Sequence, residues 1–184
     1  FNDFLEAIEY EEVKKNFLTA EEVKALARTP CEIDVLKRAS LFSILTGLRI
    51  SDIISLKWDD IRLDADGEMA MFIRIQKTQK ESIHPLSPEM LALCGERSFG
   101  LVFKGFNRSM AQYPLKEWLK AAGITKRVTF HRFRDTFATL QLAAGTDIYT
   151  VSKMLDHANV TTTQIYAKLV DSTKRDTVDR IKLK

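Results

Sequence analysis

Cysteine is nearly missing from this chain: its 184 residues include two, Cys31 and Cys94, far apart and in no CxxC pair. That scarcity argues against a Cys-rich zinc site and points to a reducing compartment, with a lone disulfide the one pairing left open. No apolar run reaches about 18 residues, which excludes a membrane-spanning helix. Internal repeats and low-complexity segments are absent as well. No secretory leader opens the chain, and Phe1 is not a natural start, so the expectation is a piece of a longer protein. What is present is the composition of a folded domain. The chain is 45% hydrophobic and 29% charged, with 11 Phe and 2 Trp, which argues against disorder. Its length suits one domain with a sizeable core, or at most two small ones.

Net charge, +3 overall, conceals an asymmetry. Residues 1–92 hold 12 Lys+Arg against 17 Asp+Glu, and residues 93–184 hold 16 against 8, so the halves stand at −5 and +8. A basic half is what a polyanion-binding face produces, and equally what lysine-rich solvated helix faces produce. It directs attention to phosphate chemistry in the second half.

Local signals predict a mainly α domain with a small antiparallel β insert. Thr19 followed by Glu22 is a capping box opening a helix through Val23 and Leu26. A second helix is predicted over about 32–46, stopped by Gly47, and Ser51 starts a short one. Asp66-Gly67 marks a tight turn between strand-forming stretches, with strands expected over 69–75 and 82–86. Ser87-Pro88 opens the next helix. Further helices are expected over 114–122, over 130–144 capped by Thr129, from Asp147 to about Leu155, and from Thr161 to about Val170. The tail from 171 is charged.

Within this frame a few residues stand out. Arg49 follows the glycine stop in TGLRISD. Lys77 and Lys80 lie at the hairpin turn. His131 and Arg134 are three apart in FHRFRDTFAT, on one helix face near its N-terminus, where backbone dipoles favour an anion. His157 precedes TTTQIY, which ends at Tyr166. Each is ordinary alone: arginines follow helix stops, lysines keep hairpin turns solvated, and a tyrosine beside Ile165 and Leu169 is commonly a core-edge aromatic. Yet the chain has three histidines, and two of them fall in this set.

Together these residues resemble the catalytic domain of the tyrosine recombinases, the integrase family of site-specific DNA recombinases, over about residues 17–168. Four pieces carry the likeness in the family's order: TGLRISDIISLKW from Thr46, QKTQKESIHPLS from Gln76, FHRFRDTFATLQLAAG from Phe130 and LDHANVTTTQIYAK from Leu155. Two places depart from the family's pattern. Asp135 stands where His is common after the second arginine, and Asp156 where Gly is common before the last histidine. Neither is a reacting group in the family's chemistry, although Asp135 is expected to alter how the basic pocket is buttressed.

The resemblance implies DNA cleavage and rejoining through a 3′-phosphotyrosyl intermediate, with no metal or cofactor. Arginine suits the non-bridging oxygens of a phosphodiester, since its planar fork donates paired hydrogen bonds and stays charged. Arg49 and Arg134 take that role, joined by His131 as a donor or as a base toward the nucleophile. Tyr166 attacks phosphorus, its phenol helped to ionise by nearby cations. By resemblance Lys77 protonates the leaving 5′ oxygen, with Lys80 the weaker candidate. His157 hydrogen-bonds the phosphate, and Asp52 orients the pocket. Residues 1–16 are expected to be a linker or the remnant of an N-terminal DNA-binding domain, 17–170 the catalytic domain, and 171–184 a tail packing on its own domain or on a neighbouring protomer. The implied partners are double-stranded DNA, three further copies in a homotetramer on two sites, and accessory DNA-bending proteins, with no membrane, in the bacterial cytoplasm at the nucleoid. An integrase of a bacterial mobile element is the leading expectation. The alternatives are a chromosome-dimer-resolving recombinase, a type IB topoisomerase-like nicking-closing enzyme, and an inactive DNA-binding module.

Overall fold

Thr19 closes its capping box as its spacing requires: the hydroxyl accepts from the Glu22 amide at 3.2 Å, and the Thr19 amide donates to Glu22 Oε2 at 2.8 Å. Helix α1 (Ala20–Arg28) follows. The computed structural model describes residues 16–74 and 81–178, with side chains described as far as residue 171. Helix α2 (Asp34–Thr46) is the central element of the larger core, burying Leu36, Ala39, Phe42 and Ile44. It ends at Gly47, whose amide donates to Ser43 O at 2.8 Å and whose φ is +73°. That left-handed conformation favours glycine. A Cβ added at Gly47 would stand 2.6 Å from a Phe137 ring carbon and 2.8 Å from a Leu155 methyl. Gly47→Ala is therefore expected to lose about 2–4 kcal/mol, combining left-handed backbone strain with overpacking. Gly145→Ala, at φ +97° in open space, should show the backbone part alone. Denaturant unfolding of the two variants checks the difference.

After the turn come α3 (Ile50–Ser55) and a single 3₁₀ turn (Trp58–Asp60). A three-stranded antiparallel sheet follows in the order β1 (Ile61–Leu63), β2 (Met69–Arg74), β3 (Glu81–Pro85), with Met71 facing both Ile61 and His84. Asp64 closes the predicted turn, its Oδ1 accepting from the amides of Asp66 and Glu68. Lys77 and Lys80 lie outside the described residues. Helix α4 (Pro88–Cys94) is capped by the Ser87 hydroxyl, with proline in its first turn, and α5 (Tyr113–Ala121) follows.

Helix α6 (Arg132–Ala143) begins two residues later than the sequence suggested. Residues 129–131 instead form a turn in which Thr129 O accepts from the Arg132 amide. This helix joins the two apolar clusters. Phe133 belongs to the larger one, while Phe137 and Ala138 pack with Val151, Leu155, Tyr166 and Leu169 in the smaller. Helix α7 (Ile148–Met154) is capped by Asp147, and α8 (Thr161–Val178) runs past the end expected near Val170. Helix α6 packs against α2 on one side and α8 on another, so the Gly47 turn, the first turn of α6 and the chain around Tyr166 meet in one region.

Candidate active site

Arg134 organises that region. It is 5% exposed, although arginine is rarely buried unless its donors are satisfied. Its Nη1 donates to Gly47 O at 2.8 Å and its Nη2 to Leu155 O. One guanidinium thus ties the α2–α3 turn, which presents Arg49, to the end of α7, which leads into His157. Among the described residues these two carbonyls are the partners of its N–H donors. Burial first, then the neighbouring Arg49 charge, lowers its pKa to about 10, while Tyr166, Asp52 and Asp156 act in the opposite direction. The group remains a cation at neutral pH.

Arg49 is exposed at the N-cap of α3, and its amide donates to Asp52 Oδ2 at 3.2 Å. Asp52 thereby braces the backbone of the turn that carries Arg49. His131 is exposed at the N-cap of α6, one turn before Arg134.

His157 is half-buried, and its Nδ1 lies 2.8 Å from the hydroxyl of the fully buried Thr163. With the Thr163 O–H donating to Nδ1, the ring carries its proton on Nε2 and offers an N–H donor. Desolvation, then the Arg134 and Arg49 charges, push its pKa down to about 4, so the ring is neutral at physiological pH. The unfolded chain binds this proton more tightly than the folded one. Stability from this residue is therefore complete above about pH 6.5 and falls as pH drops toward about 4. Urea unfolding at steps between pH 7 and 4.5 should show that decline, and His157→Gln should flatten it.

Asp156, the residue standing where the family commonly has glycine, keeps a positive φ of 49°. Its Oδ1 accepts from Ser82 Oγ at 2.8 Å, and Ser82 Oγ in turn lies 2.9 Å from His84 Nε2. Because the serine proton goes to Asp156, His84 Nε2–H donates to the serine oxygen. Burial opposes the charged Asp156 carboxylate, but His84, its Nε2 3.7 Å from Oδ2, together with the Ser82 hydrogen bond and the Arg134 charge, holds it below the usual range. This network joins β3 to the loop carrying His157. Sequence reasoning missed Ser82 and His84 because nothing local distinguishes a histidine on a short strand. Thr163 was missed for a similar reason, lying in a run of three threonines.

Tyr166 is 7% exposed, its ring packed among Phe137, Ala138 and Leu169. Its hydroxyl donates to Asp135 Oδ1 at 2.7 Å. Asp135, 2% exposed, pairs its other oxygen with Arg132 Nη1 at 2.8 Å. Asp135 thus meets the phenol directly and pairs with Arg132.

Arg49, Arg134, His157 and Tyr166 are therefore gathered at one place, and His131 lies one helical turn before Arg134. Guanidinium groups, the kind that donate paired hydrogen bonds to phosphate oxygens, thus stand beside a buried phenol. The comparisons agree in sequence and shape. A sequence profile of the phage integrase family matches residues 16–173, and the chain belongs to that family. It is 33% identical over 181 residues to tyrosine recombinase XerD of Halalkalibacterium halodurans, covering 86% of this chain and 59% of that protein. A crystal structure of XerA recombinase superposes with a TM-score of 0.69 at 28% identity, covering 89% of this chain and 62% of that one. The catalytic domain of bacteriophage HP1 integrase shares the fold, with a TM-score of 0.64 at 21% identity, covering 89% of this chain and 94% of that one. The chain spans less than two thirds of the length of the curated relatives.

Proposed function

We propose that this chain is the catalytic domain of a site-specific DNA recombinase that cleaves and rejoins DNA through a 3′-phosphotyrosyl intermediate. The observation that carries the reading is Arg134, a buried cation joining the Arg49 turn to the His157 loop while Tyr166 stands on the adjoining helix. Arg49, Arg134, His131 and His157 bind the scissile phosphate and stabilise the charge that builds on its non-bridging oxygens. Tyr166 attacks phosphorus, and the new bond conserves the energy of the broken one for rejoining. Lys77, on the β2–β3 connection, protonates the departing 5′ oxygen. Residues 17–170 form the catalytic domain. The assembly is a tetramer on two DNA sites, aided by DNA-bending proteins.

The biological role is that of an integrase of a mobile element. A second reading, a recombinase resolving chromosome dimers, is favoured by the Xer names of the curated relatives. One experiment addresses both the activity and the role. The protein is incubated with nicked duplexes randomised on both sides of the nick, and DNA that stays attached in detergent is sequenced. The expected result is a covalent adduct on Tyr166 and a recovered sequence. A match at the ends of a mobile element supports the first role, and a single chromosomal site supports the second. Absence of any adduct would overturn the enzymatic reading.

A further inference from the structure

A tyrosine nucleophile must lose its proton as it attacks, and the atom positioned to take that proton identifies the base. We infer that in this chain the acceptor is Asp135 rather than His131, an assignment that rests on the recombinase reading above.

Three observations carry it. The one proton of the Tyr166 hydroxyl points at Asp135 Oδ1, 2.7 Å away, within the reach a general base requires. The carboxylate is buried at 2% exposure, so water does not compete for its lone pairs, and Arg132 holds its second oxygen at 2.8 Å. Asp135 also follows Arg134 directly in α6, so the proton acceptor and the phosphate-binding guanidinium are carried by one rigid element. His131 sits at the exposed N-cap of that helix, where it serves the phosphate as a donor.

The step balances without any further reagent. As the Tyr166 oxygen–phosphorus bond forms, the phenolic proton passes to Asp135 Oδ1. The phosphorus–5′ oxygen bond breaks in the same displacement, and the 5′ oxygen takes its proton from Lys77. Rejoining runs in reverse: Asp135 returns its proton to the departing phenol and Lys77 recovers its own. Arg132 compensates the carboxylate while it is charged.

The test uses the full chain and a nicked duplex recovered with the unsubstituted protein. Asp135→Asn keeps the shape and a hydrogen-bond-accepting oxygen but cannot hold the proton. Single-turnover adduct formation is expected to slow about 10²–10³-fold with DNA affinity unchanged. Placing 3,5-difluorotyrosine at position 166, a phenol that gives up its proton more readily, should recover most of that loss. Asp135→Asn reacting at the unsubstituted rate would overturn the assignment. So would slowing that difluorotyrosine does not relieve, since that outcome leaves Asp135 with positioning alone. If the asparagine variant fails to fold, Asp135→Ser, also unable to hold the proton, carries the same two expectations. A lack of adduct with the unsubstituted chain counts instead against the recombinase reading on which the assignment depends.

Discussion

Tyr166→Phe is expected to abolish covalent capture of nicked duplex DNA while leaving the fold and DNA binding in place. The substitution deletes one oxygen. The ring stays packed among Phe137, Ala138 and Leu169, so the smaller core is preserved. In the proposed complex duplex affinity rests on phosphate contacts from the basic groups, none of which is touched. What disappears is the proposed nucleophile, and phenylalanine has no hydroxyl with which to form a phosphotyrosine. Asp135 loses a hydrogen bond in the interior, so a fall in stability of about 1–2 kcal/mol accompanies the loss. Detergent gels of the adduct, fluorescence anisotropy for binding and thermal unfolding measure the three effects. An adduct at the normal rate from Tyr166→Phe would move the nucleophile elsewhere.

The second large effect belongs to Arg134. Arg134→Lys keeps a positive charge but not the fork that reaches Gly47 O and Leu155 O together. A lysine ammonium can satisfy one carbonyl, leaving the other without its donor. Stability is expected to fall by about 2–3 kcal/mol. Adduct formation should fall further, by about 10²–10³-fold, because the guanidinium donors proposed to bind the phosphate are lost and the two segments it joins can drift apart. Single-turnover rates at saturating DNA separate this from weaker binding. A Lys variant with full single-turnover activity would reduce Arg134 to a structural tie.

Much of this molecule was legible locally. The Thr19–Glu22 capping box, the Gly47 stop, the Asp66-Gly67 turn, the Ser87 and Asp147 caps and the β insert depend on residues within a few positions of each other, and they form where their spacing indicates. The boundaries were less legible. Helix α6 starts at Arg132 rather than Phe130, since residues 129–131 are held in a turn, and α8 continues to Val178. The identities of Arg49, His131, Arg134, His157 and Tyr166 could be picked out from the chain through its resemblance to a family. Their environments could not.

Those environments are made by partners distant in sequence. Gly47 and Leu155 lie 87 and 21 positions from Arg134, Ser82 lies 74 positions from Asp156, and Asp135 lies 31 from Tyr166. By itself the sequence determined which residue types are available, where helices and turns begin, and that its acidic and basic halves must fold together if Arg49 is to meet Arg134. Only the tertiary structure decided that Arg134 is buried, that His157 is neutral, and that the tyrosine hydroxyl points at a carboxylate. The physical reason is that propensity and capping act through neighbours along the chain. Desolvation and hydrogen bonding to a side chain depend on what packing brings beside it.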